Sequence, residues 1–177
     1  MTQGNCPSCG APIEFTAGTA LVVVCGNCQT VVAKKGPRLE AHGKIGAIVD
    51  TDSPLQLNAE GRIGRVGYRV VGHLQKDHGA GPWDEWYVEL DDERTGWLSE
   101  SEGAFHLMFE AGVEEGLRLD DMVPGQRLSL RNRPFVVEER GHARVVAAAG
   151  QLPSDVDPSE DSYYADATGS KGKFGCV

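Results

Sequence analysis

Four cysteines stand in two pairs, Cys6-Pro-Ser-Cys9 and Cys25-Gly-Asn-Cys28, with fifteen residues between the pairs. Two cysteines separated by two residues fit on one tight turn with both sulfurs facing a common ion, and two such turns supply a tetrahedron of thiolates. The spacing therefore predicts one zinc ion held by Cys6, Cys9, Cys25 and Cys28. Four thiolates fill the coordination shell, whereas catalytic zinc keeps a position open for water, so the expected role of the metal is structural. Two redox pairs without metal, or an iron site, would use the same residues; a redox motif is expected beside a βαβ pattern, which this sequence lacks.

The elements that must position these sulfurs are short. Ile13 to Phe15, Leu21 to Val24 and Thr30 to Ala33 read as strands, and Thr16-Ala17-Gly18-Thr19 reads as a turn. Such a ribbon is too small to hold a core alone, and metal binding supplies the missing folding free energy. Zinc ribbons often touch nucleic acid, but Lys34, Lys35, Arg38 and Lys44 are the only nearby cations, and Phe15 is the only aromatic residue in the ribbon. Phosphate binding needs clustered Lys and Arg, and single-strand binding needs stacking platforms, so nucleic acid is a disfavoured partner. The net charge is -9, and residues 51–110 carry most of it, with five Lys and Arg against twelve Asp and Glu.

Beyond residue 50 the pattern changes to period two. Val66 to Leu74 alternates with one apolar face, and Trp83-Asp-Glu-Trp-Tyr-Val-Glu-Leu90 places Trp86, Val88 and Leu90 on one side and Trp83, Glu85, Tyr87 and Glu89 on the other. Trp97-Leu98, Ala104 to Phe109, Arg127 to Arg131, Phe135 to Glu139 and Ala143 to Ala148 read as further short strands, while Glu110 to Met122 could hold a short helix weakened by Gly112 and Gly116. A shift of 67 residues lays Ile63 on Leu130, Tyr68 on Phe135 and Val70 on Val137, an echo that suggests a duplicated β unit.

Two groups of side chains could do further chemistry. The face of Trp83, Glu85, Tyr87 and Glu89 could bind a small polyamine-like cation, since aromatic faces and carboxylates both attract ammonium groups; cross-strand aromatic packing on an outward face is the simpler reading. His73, Asp77 and His78 fall within six residues but fit no ligand template, and read as a strand end and loop. His42, His106 and His142 are isolated, and Cys176 reads as an inert thiol. No nucleophile elbow, phosphate loop or dinucleotide fingerprint occurs, so the chain does not read as an enzyme.

The strand Trp83-Asp-Glu-Trp-Tyr-Val-Glu-Leu, with Gly67-Tyr-Arg-Val-Val-Gly before it and Trp97-Leu-Ser-Glu after it, resembles the bacterial domain-of-unknown-function 4178 family. The resemblance implies an N-terminal zinc ribbon followed by one or two copies of a small β unit, the second from residue 119 onward with Val136 to Gly141 near its start, and no assigned activity. It also implies a further strand beyond Gly172-Lys-Phe174, which would make this C-terminus a truncated one.

The expected architecture is mainly β: a zinc ribbon over 1–35, a linker over 36–54, and one or two small antiparallel SH3-like barrels. The first β unit spans 55–110, and 111–150 is a second unit or an extension of the first. Residues 151–177 form a loop-rich acidic segment ordered around Tyr163 and Tyr164. No run approaches the roughly 20 apolar residues of a membrane span, and the start lacks a secretory leader, so the expected location is the cytoplasm. The expected work is non-catalytic binding of another protein or regulation of a complex.

Overall fold

The computed structural model describes residues 2–101, 104–110, 112, 117–130, 132–169 and 174–176. Gly116, residues 170–173 and the side chain of Cys176 lie outside that set, as does part of the helix expected between Glu110 and Met122; its described part holds a 3-10 turn, Leu119–Asp121. The chain is mainly β, and among the described residues every strand pair is antiparallel, with one isolated parallel bridge between Gly46 and Ala147. In the ribbon, β1 (Thr2–Asn5) pairs with β2 (Pro12–Phe15) as a separate two-stranded sheet.

All other strands join one large sheet. Along it lie β10 (Ala104–Met108), β9 (Thr95–Ser101), β8 (Pro82–Leu90), β7 (Val66–Asp77), β12 (Arg133–Leu152), β3 (Val22–Val24), β4 (Thr30–Lys35) and β5 (Arg38–Lys44), in that order. Off this path, β6 (Glu60–Ile63) pairs β7, β11 (Arg127–Leu130) pairs β12, and β13 (Asp161–Gly169) lies between β12 and β14 (Phe174–Cys176). Among the described residues the path stays open, with β10 at one end and β5 at the other, so the closed SH3-like barrel expected from the short strands does not form. The reason is β12. Its 20 residues run past their own hairpin and pair first with β7, from Val145 to Gly150, and then with β3, from Gly150 to Leu152, which splices the ribbon onto the β region instead of letting either close.

The 67-residue echo is a structural repeat. The hairpins β6–β7 and β11–β12 are offset by that shift, with Ile63 opposite Val66 and Leu130 opposite Arg133. Val70 N donates to Ala59 O at 2.9 Å, as Val137 N does to Gln126 O at 2.9 Å, and the bulge between Val70 and Gly72 recurs between Val137 and Glu139. Each copy buries its own valine: Val70 packs with Trp86, Val88, Leu90 and Leu98, and Val137 with Met122 and Ala165.

The largest core joins ribbon and sheet. Phe15, Ala20, Val22 and Val32 pack in one cluster with Val71, Leu74, Tyr87, Ala148 and Leu152. Backbone and side-chain bonds reinforce it: Gln151 Oε1 accepts from Thr16 N at 2.7 Å and Ala17 N at 2.9 Å, and Leu21 N donates to Leu152 O at 2.9 Å. Two segments read as irregular are strands. Arg38–Lys44 continues the ribbon where a connector was expected, and Asp161–Gly169 extends the second copy into the stretch read as loop-rich, taking in Tyr163 and Tyr164.

Candidate functional site

Both cysteine turns have the same local design. Gly10 N donates to Cys6 O at 2.8 Å and Cys6 N to Ala11 O at 2.8 Å; Gln29 N donates to Cys25 O at 2.9 Å and Cys25 N to Thr30 O at 2.9 Å. Each turn closes through a residue with positive φ, Gly10 at 77° and Gln29 at 60°, which lets the chain double back after its second cysteine. The four Sγ atoms lie within 4.8 Å of one another, with Cys6–Cys28 and Cys9–Cys25 each at 3.7 Å. A tetrahedron with metal–sulfur bonds of about 2.3 Å has edges of about 3.8 Å, so the spacing fits a four-coordinate metal ion. The set is also too open for disulfides, and all four are free.

The thiols are unequal. The Thr30 hydroxyl, 3.1 Å from Cys28 Sγ, pulls the Cys28 pKa down to about 6, whereas burial pushes Cys25 up to about 11. Asn27, whose Nδ2 lies 3.5 Å from Cys9 Sγ, lowers Cys9. At neutral pH the Cys28 thiolate is the ready ligand, and an incoming cation must displace the proton of Cys25, so metal affinity rises with pH.

Trp83, Glu85, Tyr87 and Glu89 share one face of β8, but the fold gives each a partner. Tyr87 is only 3% exposed, tilts against Trp97 at 5.0 Å, and its hydroxyl meets Thr19 Oγ1 at 2.7 Å. Glu85 pairs with Lys76 at 2.7 Å and accepts from Trp83 Nε1 at 3.2 Å; Glu89 pairs with Arg69 at 2.8 Å and accepts from Gly18 N. The ribbon thus covers half of the face.

His73, Asp77 and His78 are not brought together. Asp77 caps the following loop through Gly79 N at 2.6 Å, and His78 stands edge-on to Trp83 at 5.3 Å. His73 instead turns to Asp84, a residue that sequence reasoning did not single out. Its Nε2 donates to Asp84 Oδ1 at 2.6 Å, and its ring stacks on Trp86 with centroids 3.5 Å apart. Gln75 Nε2 donates to the same oxygen at 3.0 Å and to Val49 O at 2.6 Å, while Gln75 Oε1 accepts from Val49 N at 2.8 Å. Thr51 Oγ1 donates to Asp84 Oδ2. The register is the only signal that finds this group, because His73 lies opposite Trp86 and Gln75 opposite Asp84 on neighbouring strands. Among the described buried polar residues, Thr30, His73, Gln75 and Asp84, three belong to this cluster.

Burial lowers the His73 pKa below its ordinary 6.5, against the opposing pull of Asp84. A depressed imidazole contributes stability that is present above 6.5 and lost as the pH falls through the lowered folded value, because the unfolded chain takes the proton first. Urea unfolding is therefore expected to show lower stability at pH 5.5 than at pH 7.5, and His73→Phe to reduce that difference; an unchanged difference would exclude His73 as its source.

No helix of the described residues is long and apolar enough to cross a membrane. No curated protein and no solved structure matches the chain. The family described as Domain of unknown function (DUF4178) matches residues 56–176, a stretch that takes in both copies of the hairpin unit and excludes the cysteine turns. With more than half of its length covered by that match, the chain belongs to this family.

Proposed function

We propose that this chain is a non-catalytic binding module of the cytoplasm in which one structural zinc ion locks an N-terminal ribbon onto a β scaffold that engages another protein. The observation that carries the reading is the shared core: the cysteine turns and Tyr87, Leu74 and Leu152 belong to one buried cluster, so a metal in the ribbon organises the sheet rather than a reaction. Four clustered cysteines make a closed shell, and the ribbon sequence supplies only Lys34, Lys35, Arg38 and Lys44 as cations, which supports the same reading over nucleic-acid binding. The polyamine alternative is weakened by the ion pairs that already engage Glu85 and Glu89.

The partner surface is the β10 edge. Among the described residues β10 pairs only with β9, and Phe105, 41% exposed, stands on it. An open edge with an exposed aromatic side chain offers backbone groups and an apolar anchor to an added strand. Elemental analysis is expected to give one zinc per chain. The zinc-loaded chain, used as bait in extracts of its host, is expected to retain a protein in stoichiometric amount that Phe105→Glu releases. Recovery of RNA or DNA with steep salt dependence, or retention unaffected by Phe105→Glu, would overturn the proposal.

A further inference from the structure

The end strand β10 and the residue after it carry a pattern with its own two-fold symmetry. Phe105-His106-Leu107-Met108-Phe109 reads Phe, Leu, Phe in either direction at alternate positions. Leu107 packs against the cluster of Val70, Trp86 and Leu98, whereas Phe105 and Phe109 on either side of it are 41% and 40% exposed. Leu107 and Phe109 share a face over Gly96 of β9, where an added Cβ would stand 3.3 Å from Leu107 Cδ1 and 3.4 Å from Phe109 Cδ1. Phe105 lies opposite Glu100 as Leu107 lies opposite Leu98, so it belongs to the same row. The Arg94 guanidinium lies over the Phe109 ring at 4.5 Å.

Open sheet edges are normally guarded by charge or by a bulge. The strand at the other end of the path, β5, has both: it carries Arg38, Glu40 and Lys44, and its pairing with β4 shifts register beside Gly43, whose φ is 121°. In contrast, β10 pairs with β9 without a register shift, and Ala104 to Phe109 contains no Lys, Arg, Asp or Glu. An unguarded edge with exposed aromatic side chains is suited to pairing with another strand.

The pattern of the row says which strand. Two identical strands can pair antiparallel about a two-fold axis only where the sequence suits its own reversal. With Leu107 on the axis, Phe105 falls opposite Phe109 of the second copy, and His106 opposite Met108 of the second copy. Both exposed phenylalanines then gain an aromatic cross-strand partner. Glu110 falls opposite Ala104 of the second copy, so no like charges are opposed within this row. Two copies of a chain with net charge -9 repel over much of their surface, and an uncharged strand is where they can meet.

We propose that the β10 edge is a homodimer interface, in which two copies of this chain pair β10 antiparallel about a two-fold axis at Leu107 and continue one sheet into the other. The proposal rests on the reading of β10 as the binding edge and names its occupant. The protein retained by the bait is then the host's own copy of the chain. A junction this short buries less than a standard stable interface, so a dissociation constant on the order of 10 µM is expected.

Sedimentation equilibrium of the zinc-loaded full chain is expected to show mostly dimer at about 200 µM. Phe105→Glu and Phe109→Lys are each expected to weaken the dimer about tenfold or more. An equimolar mixture of the two variants is expected to recover it, since one aromatic pair and one ion pair then face each other; a misfolded variant would not be rescued by mixing. In the unsubstituted chain, a sample with half its copies isotope-labelled is expected to show a filtered NOE between the Phe105 and Phe109 rings, whose backbones lie about 13 Å apart along one strand. A chain that stays monomeric at about 200 µM, or a dimer without that NOE, would overturn the second copy as the occupant. Retention of a different protein that Phe105→Glu releases would then leave the β10 edge itself standing as the binding surface.

Discussion

Removing the metal from the four cysteines, or replacing Cys25 by serine, is expected to unfold the ribbon and to destabilise the β region with it. Cys25 is buried, and its turn leads directly into β4, whose Val31 and Val32 belong to the core that also holds Tyr87 and Leu152. Zinc binding to small ribbon-like peptides is worth about 10–16 kcal/mol at neutral pH, and the few short strands here cannot replace it. If about 5 kcal/mol of that reaches the whole domain, Tm falls on the order of 10–20 °C for a chain of this size. Calorimetry before and after exhaustive chelation, with zinc release confirmed by a chromogenic indicator, measures the shift. The near-ultraviolet signal of Tyr87 and Trp97 should change in parallel, because their contact lies under the ribbon. A metal-free chain with an unaltered Tm would show that the ribbon does not depend on the ion.

Substitution of Gly72 by alanine should be nearly as damaging, for a different reason. Gly72 of β7 lies opposite Gly150 of β12, at the point where β12 passes from β7 to β3. A Cβ on Gly72 would stand 2.2 Å from the carbonyl oxygen of Gln151 and 2.8 Å from Leu152 Cδ2. Backbone cannot yield there without breaking the pairing that joins the ribbon sheet to the repeat, so the cost is expected at or above the upper end of the usual 1–3 kcal/mol for overpacking. Gly18→Ala is the control: nothing lies within 4 Å of its Cβ position, and a change within about 0.5 kcal/mol is expected. Equal urea midpoints for the two variants would refute the crossing as a point of tight packing.

The elements legible in the sequence are those whose signal is local. Cysteine spacing located the four-cysteine cluster because two-residue gaps and turn chemistry act over a few bonds. Alternation located β7 and β8 because Val66, Tyr68 and Val70 pack with Trp86, Val88 and Leu90 in one cluster, although past the bulge at Val70 to Gly72 the chain turns Val71 and Leu74 into the other core. The 67-residue echo was faint in residue types but is carried by backbone features, a hairpin, a bulge and a buried valine, that tolerate many side chains. By contrast, β12 reads in sequence as two short strands, Phe135 to Glu139 and Ala143 to Ala148, without the link between them or the run on to Leu152. Ala147, Ala148 and Gly150 sit where strands crowd from both sides, and small residues there carry no period-two contrast. Likewise β13 turns Ala165 and Ala167 inward, and β5 is a polar strand at a sheet end, so both looked like connecting chain.

Tertiary structure alone decided what the polar residues do. His73, Asp77 and His78 are neighbours in sequence, yet the strand pairing sets His73 against Trp86 and Gln75 against Asp84, 9 to 13 residues away along the chain. Tyr87 alternates with Trp86 as an outward residue should, and is nevertheless buried because the ribbon folds back over it. The sequence by itself determined the four-cysteine cluster and the β character, since both arise from short-range geometry and the two faces of a strand. Which face is covered, which carboxylate meets which imidazole, and whether a barrel closes depend on register and on the path of one long strand, and those are properties of the assembled sheet.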